Sequence, residues 1–303
     1  MKVGFVCTNY NNSSLTRAAV ASLCTGTKPD DVRVVVVDNE SQESDVASLR
    51  DVAGEFAGVD LVLNPRNVGY FAGLNIGIRR MREMHPDVTH IVVGNNDLVF
   101  PPDFIERVRS HRDVFERWAV VAPDLVTLDG VHQNPHVLYP LGRIRKLIWD
   151  AYYLSYGMAA VVKQLARIAR PLTVRKENVP GTDLYKRPGP IEQGYGACYL
   201  LGPCFFRHFG RLFAPTFMMQ EEFFLYEQLR SIGQLTYYDP RFVVGHHGHA
   251  TVDQMPSRSR WKISRDAHRV YKNYLALSPA ERLRMIEAGS ESRHDPATGA
   301  VPQ

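Results

Sequence analysis

Short apolar runs alternate with helical patterns along the first hundred residues of the chain. The apolar runs cover residues 3–7, 32–37, 59–63 and 90–94. The helical patterns cover about residues 14–23, a polar stretch after residue 41, and a segment that ends near residue 84. Because the run at 32–37 is nearly continuous and β-branched, it is typical of a parallel strand covered on both faces. The alternation predicts a doubly wound α/β sheet.

Polar side chains follow the predicted strands at the point where each strand ends. They are Asn9, Asp38, Asn67 and Asp97. Ligands of doubly wound sheets bind beyond the carboxyl ends of the strands. The segment 64–77 is rich in Gly and Asn and leads into a helix, so its backbone N–H groups can face an anion. This arrangement suits a nucleotide diphosphate.

The pattern changes after residue 100, most clearly in the segment 141–170. Its apolar residues recur at spacings of mostly three or four, and Arg and Lys residues occupy the other face. This predicts one basic amphipathic helix or two in series. Such a helix can lie on an anionic membrane, or it can pack on the domain with its basic face in water. The pattern leaves both interpretations open.

Shorter patterns predict the remaining elements. Helices are expected at residues 103–115, 220–232 and 259–277. Strands are expected at residues 118–121, 195–206, 235–238 and 242–244. A loop is expected at residues 171–192, and a disordered tail from about residue 289.

Composition narrows the class of protein. The chain has 303 residues, of which 45% are hydrophobic and 22% charged, as in ordinary globular proteins. Its net charge of +4 favours phosphates or an anionic membrane but is too weak to indicate nucleic acid, for which no motif is present. The four cysteines form no CxxC pair, which predicts reduced thiols. Without a cleavable signal or a long apolar run, we expect a cytoplasmic protein, either soluble or peripheral at the inner face of the plasma membrane.

Two acidic patterns could support chemistry, and each has a structural alternative. Asp97, after Asn95 and Asn96, could hold a divalent cation, or the three residues could form a turn. Glu221 and Glu222 begin a predicted helix, and because adjacent carboxylates repel, one of them can have a raised pKa and act as a general base. Alternatively, both could complement the dipole of the helix.

Two further patterns also have both a functional and a structural interpretation. Asp38 could accept a hydrogen bond from a pyrimidine N3–H or a ribose hydroxyl, or it could cap a helix or form a turn. The three histidines of segment 245–249 could bind a metal or a diphosphate, or they could cluster by chance. No cysteine accompanies them, so the spacing does not predict a structural zinc site.

These features, in this order, resemble the inverting family 2 nucleotide-sugar glycosyltransferases of GT-A fold, especially the bacterial rhamnosyl- and galactofuranosyltransferase-like branch. The resemblance covers about residues 1–275. It rests on the segments 8–11, 34–41, 67–77, 95–97, 196–198 and 221–222 and on the region of His246. It implies a Rossmann-like, mostly parallel central sheet flanked by helices, with a basic amphipathic helical insert.

The resemblance also implies a role for each matching position. The implied donor-binding residues are Thr8, Asn9, Tyr10, Asp38, Asn67, Gly69, Asn75 and Asn96. The implied catalytic base is Glu222, with Glu221 beside it. The implied ligands of a divalent metal, Mn²⁺ or Mg²⁺, are Asp97 and His246. The implied contacts to the departing diphosphate are Arg258, Arg260 and Lys262.

The chain departs from the family pattern at four places. Asn95 replaces the first Asp of the Asp-x-Asp motif, which removes a charge near the expected metal. The usual Glu-Asp pair is Glu221-Glu222. Gln228 occupies a position where Arg is frequent, and residues 213–215 lack the usual Phe-Asp-Glu.

The implied activity is inverting transfer of a sugar from a UDP or dTDP donor to a hydroxyl of a cell-envelope glycan or a lipid-linked acceptor. Residues 1–125 would bind the nucleotide sugar, and residues 193–278 would form the acceptor half of the same domain. Residues 126–192 would form a helical insert on the acceptor or membrane side, and residues 279–303 a C-terminal tail.

Two other functions are considered. The first is a catalytically degenerate GT-A-fold protein that binds a glycan or a nucleotide, which the substitution at Asn95 and the missing Phe-Asp-Glu motivate. The second is nucleotidyl transfer to a sugar phosphate. That reaction usually needs a Gly-rich loop with Arg or Lys after the first strand, whereas residues 8–12 are Thr-Asn-Tyr-Asn-Asn, so it ranks below the others.

Overall fold

The computed structural model describes residues 1–136, 143–169, 183–248 and 257–290, with the backbone alone at residues 143–146 and 166–169. Within these ranges nine strands form a single sheet. The strands are β1 Lys2–Asn9, β2 Val32–Asn39, β3 Val59–Asn64, β4 Val88–Gly94, β5 Leu98–Val99, β6 Val120–Thr127, β7 Gly189–Ile191, β8 Cys198–Leu201 and β9 Thr236–His246.

Helices cover both faces of the sheet and extend beyond it. The helices in the first half are α1 Ser13–Cys24, α2 Glu43–Glu55, α3 Tyr70–Met84, α4 Phe104–Ser110, α5 Arg112–Arg117, α6 Arg143–Leu154 and α7 Tyr156–Ala169. Those in the second half are α8 Pro203–His208, α9 Glu221–Arg230, α10 Ser257–Ala276 and α11 Pro279–Ser290, and a short 3₁₀ turn covers Asp183–Lys186.

The strand order is β3-β2-β1-β4-β8-β6-β9-β5, with β7 paired to β9. Strands β3, β2, β1 and β4 are all parallel, which confirms the doubly wound arrangement predicted for the first hundred residues. In the second half β6 and β9 are parallel, whereas β8, β5 and β7 pair antiparallel with their neighbours. The α/β class is confirmed, and the sheet as a whole is mixed.

Two apolar cores lie on opposite faces of this sheet. One contains residues of α1, α2 and α4, such as Leu23, Leu49 and Phe104. The other contains residues of α3 and α9, such as Leu74 and Phe224. Because both faces are covered, the parallel strands are apolar along almost their whole length, and polar side chains are left to the strand ends.

Helix α3 packs unusually close to the sheet. A Cβ atom added at Gly77 would lie 2.3 Å from Cγ1 of Val6, so a larger side chain at this position would push the helix outwards. The close approach brings the N-terminal end of α3 next to the carboxyl ends of β1 and β2. The Gly/Asn-rich segment therefore lies where the sequence predicts it.

Several predicted boundaries change in the second half. The strand expected at 195–206 is the short β8 followed by α8, because Gly202 and Pro203 end the strand and Pro203 begins the helix. The two strands expected at 235–238 and 242–244 are one strand, β9, whose register with β6 shifts after Asp239, next to Pro240.

The helical predictions also need adjustment. The helix expected at 103–115 is divided into α4 and α5. The segment 141–170 forms two helices in series, α6 and α7, and its residues 141, 142 and 170 lie outside the described ranges. Residues 279–290, assigned to the tail, form α11, and Gln228 binds Ser290 at its end. The predicted disorder beyond residue 290 lies outside the described ranges.

The α6–α7 pair packs on α10. Asp150 lies 2.9 Å from His268 and 3.1 Å from Lys272, and Trp261 donates a hydrogen bond to the carbonyl of Tyr152. No helix in the described ranges is long and apolar enough to cross a membrane.

Candidate active site

A cavity of about 340 Å³ lies at the carboxyl ends of β1 and β4. It is lined from both halves of the chain. The predicted site residues that line it are Thr8, Asn9, Tyr10, Asn67, Gly69, Asn96, Asp97, Glu221 and Glu222. The structure therefore brings together residues that are more than two hundred positions apart in the sequence.

One side of the cavity is held by a buried polar cluster around Asn9, which we call the Asn9 cluster. Its members are Asn9, Thr16, Asp38, Ser41, Asp45 and Asn96. The side-chain amide of Asn9 donates to Asp38, Ser41 and Asp45 at 2.7–3.1 Å. Its carbonyl oxygen accepts from Thr16 at 2.8 Å and from Asn96 at 3.2 Å. Since Asn9 is fully buried, these bonds offset the cost of removing its amide from water.

Two residues predicted to bind the nucleotide sugar do not line the cavity. Their polar atoms form hydrogen bonds within the protein. The carboxylate of Asp38 accepts from Asn9 and from the backbone N–H of Ser41. Asn75 forms a pair of 2.8 Å hydrogen bonds with the backbone of Leu212. Asp38 therefore holds the Asn9 cluster, and Asn75 attaches the segment after α8 to helix α3.

The start of α3 forms a second side of the cavity. Gly69 has φ +89° and ψ −170°, a backbone conformation that only glycine adopts readily. A Cβ atom there would lie 1.9 Å from the carbonyl oxygen of Phe217, which accepts a hydrogen bond from the backbone N–H of Tyr70. The Asn67 side chain accepts from the Gly69 N–H at 3.0 Å. Glycine at position 69 thus allows the segment 213–220 to reach α3.

Asp97 and His246 meet at the edge where β5 pairs with β9. Both side chains are buried, and Oδ1 of Asp97 lies 3.3 Å from Nε2 of His246. Oδ1 of Asp97 has no hydrogen-bond partner in the described residues. Burial raises the pKa of Asp97, but the His246 and Asn95 side chains beside it outweigh burial, so that this pKa lies below its usual range. The other ring nitrogen, Nδ1, lies 2.7 Å from Oε1 of Gln133.

The two glutamates face the strand ends from the first turn of α9. Oε1 of Glu222 accepts a hydrogen bond from the backbone N–H of Gly196 at 3.1 Å. Glu221 is buried, and its Oε1 has no hydrogen-bond partner in the described residues. Burial, reinforced by the charge of Glu222, raises the pKa of Glu221 from 4.5 to about 8. The two residues before this turn, Met219 and Gln220, both have positive φ.

The three predicted diphosphate contacts are elsewhere. Arg258, Arg260 and Lys262 lie in the first two turns of α10 and do not line the cavity. Residues 249–256, which connect α10 to β9, lie outside the described ranges.

Aromatic and apolar residues of the cavity were not predicted from the sequence. They are Tyr70, Tyr195, Phe217, Met218 and Met219. Tyr70 had a signal, since it follows Gly69 in the Gly/Asn-rich segment. Its hydroxyl donates to the carbonyl of Gly196 at 2.9 Å, so it connects α3 to the residue that binds Glu222. The others come from irregular segments whose position only the tertiary structure determines.

The arrangement of strand-end polar groups opposite a carboxylate pair agrees with the family comparison. The model of glycosyl transferase family 2 matches residues 5–162, just over half of the chain. The chain belongs to glycosyl transferase family 2. The family predicted from the strand-end motifs is confirmed, whereas the inverting reaction and the rhamnosyl- and galactofuranosyltransferase-like branch stay predictions. Among curated proteins, no sequence match to the chain was found.

Several solved structures are similar to this chain. GalNAc-T7 with UDP, GalNAc and Mn²⁺ has a TM-score of 0.52 at 13% identity over 81% of this chain, which spans 44% of that protein. TarS of S. aureus, residues 1–349, has a TM-score of 0.51 at 10% identity over 95% of this chain and 81% of its own. The mannosyltransferase PcManGT of Pyrobaculum calidifontis, in complex with GDP-Man and Mn²⁺, has a TM-score of 0.48 at 14% identity. The likeness covers 95% of this chain and 73% of that protein. The first two likenesses show the GT-A fold that the sequence predicts.

The residues at the β5–β9 edge fit a divalent cation in part. Asp97 offers a carboxylate oxygen without a hydrogen-bond partner in the described part of the chain, and His246 offers a ring nitrogen beside it. Oxygen and imidazole ligands suit Mn²⁺ and other divalent ions of similar chemistry. No group of three or more His, Cys, Asp or Glu side chains placed to hold a metal occurs among the described residues.

The raised pKa of Glu221 predicts how stability depends on pH. The folded protein binds this proton up to about pH 8, whereas the unfolded chain releases it near pH 4.5. The stabilisation from the neutral acid is therefore complete below pH 4.5 and is lost as the pH rises through 8. Glu221→Gln removes this loss, so its free energy of unfolding should rise relative to wild type between pH 5 and 8, by up to about 1.4 kcal/mol per pH unit.

Urea denaturation at pH 5, 6, 7 and 8 measures the difference between the two proteins. Glu287→Gln, a change at an exposed residue of α11, is the matched control and should show no such trend. If the free energies of unfolding of wild type and Glu221→Gln change in parallel with pH, the assignment of the proton to Glu221 is contradicted.

Proposed function

We propose that this glycosyltransferase moves a sugar, with inversion, from a UDP or dTDP donor to a hydroxyl of a cell-envelope glycan or a lipid-linked acceptor. One observation carries the proposal. The cavity places the carboxylates of α9 opposite the polar ends of β1 and β4, so that a base faces the residues predicted to hold the donor.

Glu222 is the base in this proposal. Because burial and the charge of Glu222 raise the pKa of Glu221, the proton of the pair rests on Glu221 at neutral pH. The Gly196 N–H holds one oxygen of Glu222, which leaves the other for the acceptor hydroxyl. Glu222 removes the hydroxyl proton, the acceptor oxygen bonds to the anomeric carbon, and the bond from that carbon to the diphosphate oxygen breaks.

The donor lies between the Asn9 cluster and the start of α3. Thr8, Tyr10 and Asn67 contact the nucleotide directly, and Asp38 acts through Asn9. A Mn²⁺ or Mg²⁺ ion held by Asp97 and His246 would neutralise charge on the leaving diphosphate. GalNAc-T7 was crystallised with UDP and Mn²⁺, which supports this choice of donor and metal.

Arg258, Arg260 and Lys262 are assigned to the departing diphosphate. They lie in the first two turns of α10, outside the lining of the cavity. We also propose the functional division expected from the sequence. Residues 1–125 hold the donor, residues 193–278 carry the base and the acceptor side, residues 126–192 form the helical insert, and residues 279–303 form the C-terminal tail.

One departure from the family pattern, Gln228, has a structural explanation. Gln228 accepts a hydrogen bond from the Phe213 N–H and donates to the carbonyl of Arg211 and the hydroxyl of Ser290. It therefore attaches α9 to two neighbouring segments. These contacts give no support to a degenerate binding protein.

Glu222→Gln should abolish catalysis but leave binding of the nucleotide-sugar donor unchanged. With water as the acceptor, we expect hydrolysis of UDP-glucose, UDP-galactose or dTDP-rhamnose in Mn²⁺ to fall by about 100-fold or more, as is typical when a general base is lost. Release of UDP or dTDP measures the rate, and ¹H NMR of the first-formed sugar should show the anomer opposite to that of the donor.

Glu287→Gln should hydrolyse the donor at the wild-type rate. Retained anomeric configuration would contradict the single displacement. If wild type binds UDP or dTDP but cleaves none of these donors, the degenerate binding protein becomes the better account.

The acceptor side has a surface suited to a membrane, formed by α6 and α7. Their large apolar side chains remain exposed, with 67% of Leu147, 75% of Leu154 and 60% of Leu165 open to solvent. Trp149 and Tyr156, residues that favour the membrane interface, are exposed beside them. Asp150 and Tyr152 contact α10, so the pair is attached to the domain by one side only.

The charge of this helix pair complements an anionic lipid surface. Residues 143–169 contain five Arg and Lys residues and one Asp, a formal charge of +4, equal to that of the whole chain. The single Asp is Asp150, which lies near Lys272 and His268. We therefore propose that α6 and α7 bind the inner face of the plasma membrane, where a lipid-linked acceptor would be located.

Leu154→Glu combined with Leu165→Glu should weaken vesicle binding by about tenfold or more, because two exposed leucines lose contact with lipid. Sedimentation with phosphatidylglycerol-containing vesicles at low salt measures this effect, and neutral phosphatidylcholine vesicles should bind little protein. Leu128→Glu is the matched control, since Leu128 is 74% exposed but lies outside the pair.

Equal sedimentation of the double variant and wild type would contradict the membrane surface, as would no sedimentation of wild type. A change from dimer to monomer in light scattering would instead assign the surface to a second copy of the chain.

A further inference from the structure

His246 is buried with both ring nitrogens facing protein groups. Nδ1 lies 2.7 Å from Oε1 of Gln133, and Nε2 lies 3.3 Å from Oδ1 of Asp97. A neutral imidazole has one N–H, and the amide oxygen of Gln133 can only accept. The proton therefore belongs on Nδ1, and the lone pair of Nε2 faces the carboxylate.

Two atoms with lone pairs, Nε2 of His246 and Oδ1 of Asp97, then lie close together in the protein interior. Oδ1 of Asp97 has no hydrogen-bond partner among the described residues. The Asn95 side-chain amide lies 3.5 Å from Nε2, and donation to that nitrogen requires a lone pair there. Buried groups of this kind are costly unless a proton or a cation lies beside them.

Gln133 is itself held in position by the backbone around it. Its N–H donates to the carbonyl of Leu125 in β6 at 2.8 Å. The next residue, Asn134, donates to the carbonyl of Pro123 and accepts from the N–H of Tyr195, both at 2.8 Å. The amide of Gln133 therefore reaches His246 from a fixed backbone that also supports the cavity wall at Tyr195.

We propose that Gln133 is a positioning residue, which holds His246 in the Nδ1–H tautomer so that Nε2 is free to bind a divalent cation together with Asp97. The inference rests on the metal of the proposed function and adds to it a residue outside the cavity. Partners of the second ring nitrogen commonly orient metal-binding histidines, and their loss typically weakens metal affinity by about 10–100-fold.

The tautomer can be measured without metal. In protein labelled with ¹⁵N-histidine, long-range ¹H–¹⁵N spectra distinguish a protonated from an unprotonated ring nitrogen, and the His246 signals are those lost in His246→Ala. We expect an N–H at Nδ1 in wild type and in Gln133→Glu, which still accepts a hydrogen bond, and loss of that single state in Gln133→Leu. An N–H at Nε2 in wild type would overturn the proposal.

Mn²⁺ affinity measures the consequence of the tautomer. Loss of the free Mn²⁺ signal in electron paramagnetic resonance should show about 10–100-fold weaker binding in Gln133→Leu, and wild-type or tighter binding in Gln133→Glu. Gln164→Leu, at an exposed glutamine of α7, is the matched control and should bind as wild type does. Thermal melts of each variant establish that the fold is retained.

The outcomes distinguish the role of Gln133 from the metal site of the proposed function. Equal Mn²⁺ affinity of wild type and Gln133→Leu would overturn the role of Gln133 and leave the metal of the proposed function in place. If wild type binds no Mn²⁺, the metal site falls, and the role of Gln133 falls with it. Sugar transfer itself would then be judged by donor hydrolysis alone.

Discussion

The buried amide of Asn9 is the interaction on which the site depends. Parallel strands covered on both faces must leave their polar groups at the ends, and an amide buried there has to find partners in the protein. Asn9 finds them at the end of β2, in α1, in α2 and after β4. Four segments therefore form hydrogen bonds with the same side chain, which holds this side of the cavity in one arrangement.

The opposite wall is held by backbone rather than by a buried cluster. Phe217 binds the Tyr70 N–H, and the positive φ of Met219 and Gln220 turns the chain into α9. Strain of this kind persists where surrounding contacts determine the conformation, and it concentrates at functional sites. The result is that Glu221 and Glu222 face strand ends that come from the other end of the sequence.

The sequence predicts the first half of the fold well, because each buried strand is an uninterrupted apolar run that ends in a polar residue. It predicts the second half less well. Gly202 and Pro203 divide one apolar run into a strand and a helix, and β9 continues past Pro240. Of the site, the strand-end residues and the glutamate pair could be found from motifs. Gln133 could not, because its contact with His246 spans 113 residues and depends on the pairing of β6 with β9.

The central claim is that this cavity binds a pyrimidine nucleoside diphosphate with a divalent cation. The melting temperature in UDP, dTDP, GDP and ADP, each with and without Mn²⁺, tests it directly, because a ligand of the folded state raises the melting temperature by mass action. The account predicts a rise with UDP or dTDP that requires Mn²⁺ and disappears in Asp97→Asn. No rise with any diphosphate, or a rise confined to GDP or ADP, would contradict it.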